Sequence, residues 1–177
     1  MAAVFAAHPG GCCDAGYAGR LAALPVASRG FLIGSIDLVC PIPDRGETVR
    51  WWVIDWKSNW LGERDGEGQP VACGPYHYQR AAMAELMLNC HYPRQAHLYL
   101  VALHRYLAWR LPAYDPEQHL GGYAYVFVRG TPGASGQEVL PGPVPGMVVE
   151  RPPLGRLLAL DRALGIAPSG WEPGLHP

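Results

Sequence analysis

Residues 49–57 read VRWWVIDWK, and this stretch decides the fold. Side chains on a strand alternate between faces, so Asp55 and Lys57 project to one side while Ile54 and Trp56 project to the other. Upstream, RGFLIGSIDLV at 29–39 is rich in β-formers, and PIPDRGE at 41–47 supplies the breakers of a turn. The two runs predict a β-hairpin whose connection, with Pro41, Pro43, Asp44 and Gly46, is longer than a tight two-residue turn. Pairing of the strands would bring Asp37 to Asp55, in an apolar frame of Ile36, Leu38, Val53 and Ile54.

Outward from the hairpin, SNWLGERDGEGQP at 58–70 reads as a polar loop. Met83, Leu86, Met87 and Cys90 then recur at i, i+3, i+4 and i+7, which predicts a helix over 76–89 with one buried face. Pro93 breaks the chain and can open a second helix, QAHLYLVALHRYLAWRL, running to about Leu111. Residues 122–129, GYAYVFVR, alternate large aromatics with small apolar residues, as a strand packed on both faces would. The Gly- and Pro-dense 130–153 reads as an irregular excursion before a short helix over 153–164. Residues 1–28 show no sustained period and read as a poorly determined lead-in, 29–165 as the folded domain, and 166–177 as a flexible tail. The expected class is α/β, with a mixed central sheet flanked by helices.

With 49% hydrophobic and 16% charged residues, a chain of 177 residues can bury one core and is too apolar for a disordered protein. No apolar run approaches the roughly 20 residues that span a bilayer, and the start MAAVFAAHPG lacks the basic region of a signal peptide, so the expected location is cytoplasmic with no membrane partner. Cys12, Cys13, Cys40, Cys73 and Cys90 show no zinc-type or cluster-type spacing and read as reduced thiols. There is no G-x-x-x-x-G-K-S/T loop and hence no P-loop ATP site. A net charge of −1 argues against a strong nonspecific grip on DNA phosphates.

Lys57 is the chain's lone lysine against 13 arginines. An Asp-x-Lys triplet by itself is commonly a solvated salt bridge. Here it is joined by a second carboxylate, Asp37, and two like charges together need a counter-ion. Hard oxygen ligands hold Mg2+ with several waters retained and leave positions for phosphate oxygens. Asp37 and Asp55 are the candidate metal ligands, with Asp55 expected to be exposed enough to bind. Asp55 and Lys57 are the candidate catalytic residues for phosphodiester hydrolysis. The histidines His77, His91, His97, His104 and His119 lack the carboxylate partners of a metal box and read as packed or solvated, and Trp51, Trp52, Trp56 and Trp60 as packing aromatics or base-stacking surfaces.

The stretches GFLIGSIDLV, VIDWKSNWLG, YHYQRAAMAELMLNCHYPRQAHLYLVALHRYL and HLGGYAYVFVRG resemble successive blocks of the C-terminal nuclease domain of the RecB family, the beta subunits of exonuclease V, over about residues 29–130. The resemblance implies a restriction-endonuclease-like core and Mg2+-dependent cleavage of DNA single strands or ends. It assigns metal binding to Asp37 and Asp55 and catalysis to Asp55 and Lys57. The family's Q-x-x-x-Y signature is met by Gln95 and Tyr99, which would meet the DNA backbone or brace the site; on spacing alone, helix packing explains the pair as well. It implies the other exonuclease V subunits and a recombinase as partners. Trp56 stands where the family usually has Tyr. The family also takes a histidine ligand from further upstream, where this chain offers only His8 in an HPGG context that matches no family block. The chain thus looks truncated, and the alternative reading is a catalytically weak nuclease fold that serves as a protein-docking domain.

Overall fold

The computed structural model describes residues 1–13, 15–25, 32–44, 48–132 and 144–165. In chain order the elements are α1 (Ala2–Ala7), α2 (Ala15–Ala22), β1 (Leu38–Pro43), β2 (Val49–Lys57), β3 (Glu63–Arg64), β4 (Pro70–Ala72), α3 (Arg80–Asn89), α4 (Tyr92–Arg110), α5 (Pro116–His119), β5 (Leu120–Phe127), β6 (Met147–Glu150) and α6 (Leu154–Ala163), with a 3-10 turn at Pro75–His77 before α3. The central sheet has four strands in the order β1-β2-β5-β6. β2 runs antiparallel to β1 and parallel to β5, and β5 runs antiparallel to β6. The chain is therefore α/β with a mixed central sheet flanked by helices, as its pattern of elements predicts.

β2 occupies the residues read as a strand, and β5 starts two residues before the predicted 122. β1 differs. Residues 32–36 are not in a strand, and β1 instead runs through Pro41 and Pro43, which were expected in the turn. The sheet order explains the difference: β1 is an edge, where a residue without an N–H costs no ladder hydrogen bond. Arg29–Phe31 of the expected strand, residues 45–47 of its turn, 133–143 of the excursion and the tail 166–177 lie outside the described residues. The polar loop holds the small β3–β4 hairpin, and the excursion delivers β6 to the far edge of the sheet. At the Gly121-Gly122 step, a Cβ on Gly121 would lie 2.1 Å from the Trp52 indole nitrogen, so the glycine lets that ring lie against the backbone.

The first residues are not a lead-in. Phe5, Cys13 and Tyr17 are completely buried, and the Tyr17 hydroxyl accepts the Arg94 backbone N–H at 3.1 Å. Helices of six and eight residues are too short to show a sustained period, and tertiary packing stabilises them. Much of that packing converges on Arg156 of α6, which is fully buried. Its Nε donates to the His8 carbonyl at 2.7 Å, one terminal nitrogen donates to the Gly10 carbonyl at 3.0 Å, and the other lies 3.3 Å from His97 Nε2.

His97 is itself fully buried on α4, with Nδ1 2.6 Å from the Pro93 carbonyl. Burial foremost, with the Arg156 charge adding, pushes its pKa down to about 4, against the Pro93 hydrogen bond. The unfolded chain then binds more protons than the native one between about pH 6.5 and 4, so stability falls as pH drops through that window, by up to about 1.4 kcal/mol per unit. In urea melts from pH 7 to 4, His97→Gln is expected to flatten this slope; an unchanged slope would assign the acid sensitivity to other groups.

Candidate active site

β2 sends Val53, Asp55 and Lys57 toward α4 and leaves Trp56 46% exposed on the opposite face. The β1–β2 register pairs Leu38 with Ile54, and one further step sets Asp37, the residue just before β1, against Asp55. There the Trp56 backbone N–H donates to Asp37 Oδ2 at 3.1 Å, anchoring this carboxylate on the strand that carries Asp55. On the other side the parallel register places Tyr125 beside Asp55.

Asp55 is 3% exposed, which corrects the expectation of an open carboxylate. Its Oδ1 lies 2.5 Å from Lys57 Nζ, but the contact is a charge pair without hydrogen-bond alignment, and Oδ1 has no hydrogen-bond partner among the described residues. Burial foremost, then the neighbouring Asp37 charge, push the Asp55 pKa above the usual carboxylate range, while Lys57 opposes them. The frame is also less closed than expected, because Leu38 is 38% exposed.

Lys57 is held from three sides. Its ammonium donates to Gln95 Oε1 at 3.1 Å and lies over the Tyr92 ring at 4.3 Å and the Tyr125 ring at 5.1 Å. Gln95 Oε1 also accepts the Tyr125 hydroxyl at 3.0 Å, and Gln95 Nε2 donates to the Tyr99 hydroxyl at 2.8 Å. The amide is thereby oriented, with its oxygen toward the lysine. Gln95 and Tyr99 thus face the strand that carries Lys57, on the flank of a helix whose buried side is formed by Ala96, Leu100, Leu103 and Leu107.

Removal of the Gln95 amide takes one partner from Lys57, which keeps Asp55, and one from the Tyr125 hydroxyl, which keeps the Tyr92 carbonyl at 3.1 Å, a cost of about 1–3 kcal/mol for the two hydrogen bonds together. Gln95→Ala should lower the urea midpoint accordingly, whereas Tyr99→Phe, which removes only an acceptor of the amide, should cost under about 1 kcal/mol. Equal midpoints for Gln95→Ala and wild type would show that water replaces the amide.

The carboxylates here that could hold a cation are Asp37 and Asp55. Among the described residues, no group of three or more His, Cys, Asp or Glu side chains is arranged to hold a metal ion. His8 does not join the carboxylates: its ring lies against Gly155 at the start of α6, and its carbonyl is taken by Arg156. Two neighbouring carboxylates, one of them buried and raised in pKa, could suit an ion such as Mg2+ that keeps several waters. Of the other histidines, His77 Nδ1 accepts the Gly74 N–H, and His104 Nδ1 lies 2.9 Å from the Tyr114 hydroxyl. Trp60 donates to the Glu63 carbonyl and carries the Arg129 guanidinium 5.5 Å from its ring.

Over 136 residues, 77% of this chain, the sequence is 44% identical to the RecBCD enzyme subunit RecB of Mycolicibacterium smegmatis. It is 39% identical over 151 residues, 84% of the chain, to the Mycobacterium tuberculosis subunit, and 38% identical over 133 residues, 75% of the chain, to that of Escherichia coli. The chain is a RecB homologue. It spans 12% of the length of the two mycobacterial proteins and 9% of the Escherichia coli protein. No family model matches it.

In this RecB homologue the residues that sequence reasoning missed are Tyr92 and Tyr125. A signal for Tyr92 was present, because Tyr92, Gln95 and Tyr99 stand at i, i+3 and i+7 on one helical face. Tyr125 had none, since its place beside Asp55 depends on parallel pairing between strands 70 residues apart in sequence.

Proposed function

We propose that this RecB-related chain is the DNA-cleaving unit of a RecB-type recombination-repair exonuclease and hydrolyses phosphodiester bonds with Mg2+. The observation that carries this reading is the buried Asp55–Lys57 pair beside Asp37, with Gln95 holding the ammonium in place. Asp37 and Asp55 would hold the ion. When bound, Mg2+ supplies Lewis-acid polarisation of a phosphate oxygen and a more acidic water. With a cation held there to take over the neutralisation of Asp55, the Lys57 ammonium would be left to orient the attacking water or offset charge growing on the phosphate. Gln95 fixes where that ammonium sits, and the Tyr92 and Tyr125 rings shield it from bulk water. Gln95 and Tyr99 would brace the site from α4 or meet the DNA backbone.

Single-stranded DNA and DNA ends are the proposed substrates, and the remaining subunits of such an enzyme and a recombinase are the proposed partners. The proposed setting is the cytoplasm; among the described residues, no helix is long and apolar enough to cross a membrane. The test is release of nucleotides from labelled single-stranded DNA by the purified chain, with expected weak activity that EDTA removes and Mg2+ restores. A second reading, a nuclease fold that acts as a protein-docking domain, draws on the two-carboxylate donor set. A folded chain with no release at any Mg2+ concentration would favour it.

A further inference from the structure

The helical flank that carries Gln95 and Tyr99 continues beyond the site. At about 100° per residue, positions 95, 99, 102, 106 and 109 fall within roughly 80° of one another around α4. The side chains at the far end are open to solvent: Tyr106 is 54% exposed and Trp109 58% exposed. Arg110 places its guanidinium 5.0 Å from the Trp109 ring, which adds a positive charge to the pair. On the flank turned toward α6, Arg105 is instead bound to Asp161 at 2.6 Å and to the Gly165 carbonyl. Gln95 and Trp109 are separated by roughly 21 Å along the helix axis, a span of a few nucleotides, at about 1.5 Å per residue.

We infer that Tyr106 and Trp109, with Arg110, form a stacking track for single-stranded DNA that leads along α4 to the Asp55–Lys57 site. This inference rests on the nuclease reading and adds the means of holding the substrate. The two rings are 6.2 Å apart and inclined at 74°, so they do not sandwich one base and each offers its own face to a separate base. Stacking is tolerant of sequence and needs little charge, which suits a chain of net charge −1. The occupant is a nucleic acid because an aromatic pair capped by a guanidinium lies in line with the residues that hold the proposed catalytic lysine.

The test measures binding of a labelled oligothymidylate to the purified chain by fluorescence anisotropy in excess EDTA, where cleavage cannot proceed. Tyr106→Ala/Trp109→Ala should weaken binding about tenfold or more, and Trp109→Phe should keep it within about threefold of wild type. An abasic strand of equal length should bind wild type as weakly as the oligothymidylate binds the double variant. Both side chains are exposed, so circular dichroism melts should coincide. Wild-type affinity in the folded double variant overturns the track and makes the flank a protein contact. Failure of wild type to bind the oligothymidylate overturns it as well. Nucleotide release with Mg2+ is read separately: wild-type release together with undiminished binding by the double variant sinks the track alone, and loss of binding without any release sinks the nuclease reading alone.

Discussion

Asp55→Ala and Lys57→Ala are each expected to cut Mg2+-dependent nucleotide release by about 100-fold or more, because the first removes a ligand of the proposed ion and the second removes the ammonium that would offset charge growing on the phosphate. The two variants should part company in stability. In Lys57→Ala, the buried Asp55 carboxylate keeps the repulsion of Asp37 and loses its ion-pair partner, and breaking a buried pair this way costs about 3–5 kcal/mol. In Asp55→Ala, the stranded ammonium is on a flexible stem and still has Gln95 and two aromatic faces, so the loss should be smaller. The pH dependence gives a second readout. A carboxylate whose folded pKa lies above its unfolded value binds more protons in the native state, so stability rises as pH falls through the folded pKa. Lys57→Ala, which removes the group that opposes this shift, should therefore regain stability on acidification more than wild type does. Equal nucleotide release by wild type and Asp55→Ala, purified identically, would attribute the activity to a contaminant and end the enzyme reading.

Arg156→Ala should also cost about 3–5 kcal/mol of stability, the range for emptying a large buried side chain. The cavity comes with a polar cost, since the His8 and Gly10 carbonyls each lose a charged donor in the interior. Lysine is not a substitute, because one ammonium cannot reproduce a planar fork that serves carbonyls on one side and His97 on the other. Limited proteolysis should then cut within residues 1–22 at protease concentrations that leave wild type intact. A variant that melts with wild type would show that Phe5 and Tyr17 hold α1 and α2 without the arginine.

The same contacts mark where the sequence stopped being informative. Periodicity located β2 and α4 because both are long, and their apolar spacing shows which way each side chain turns. It missed α1 and α2, whose helicity depends on burial of Phe5 and Tyr17 against α4 and on the Arg156 clamp. It misplaced β1, because prolines mark a turn by local chemistry and are acceptable in a strand only at a sheet edge, which is a fact of topology.

At the candidate site, the residue types and the common face of Asp55 and Lys57 were legible in the sequence, as was the shared direction of Gln95 and Tyr99, since both follow from the repeat of a single element. The Asp37 charge was legible as well, from the expected hairpin, whereas the near-complete burial of Asp55 and the tyrosines that α4 and β5 place around the lysine came from tertiary structure. The physical reason is range. Backbone periodicity sets the direction of a side chain within its own element, while dielectric surroundings and charge neighbours are set by whichever distant segments the folded chain brings within a few ångströms.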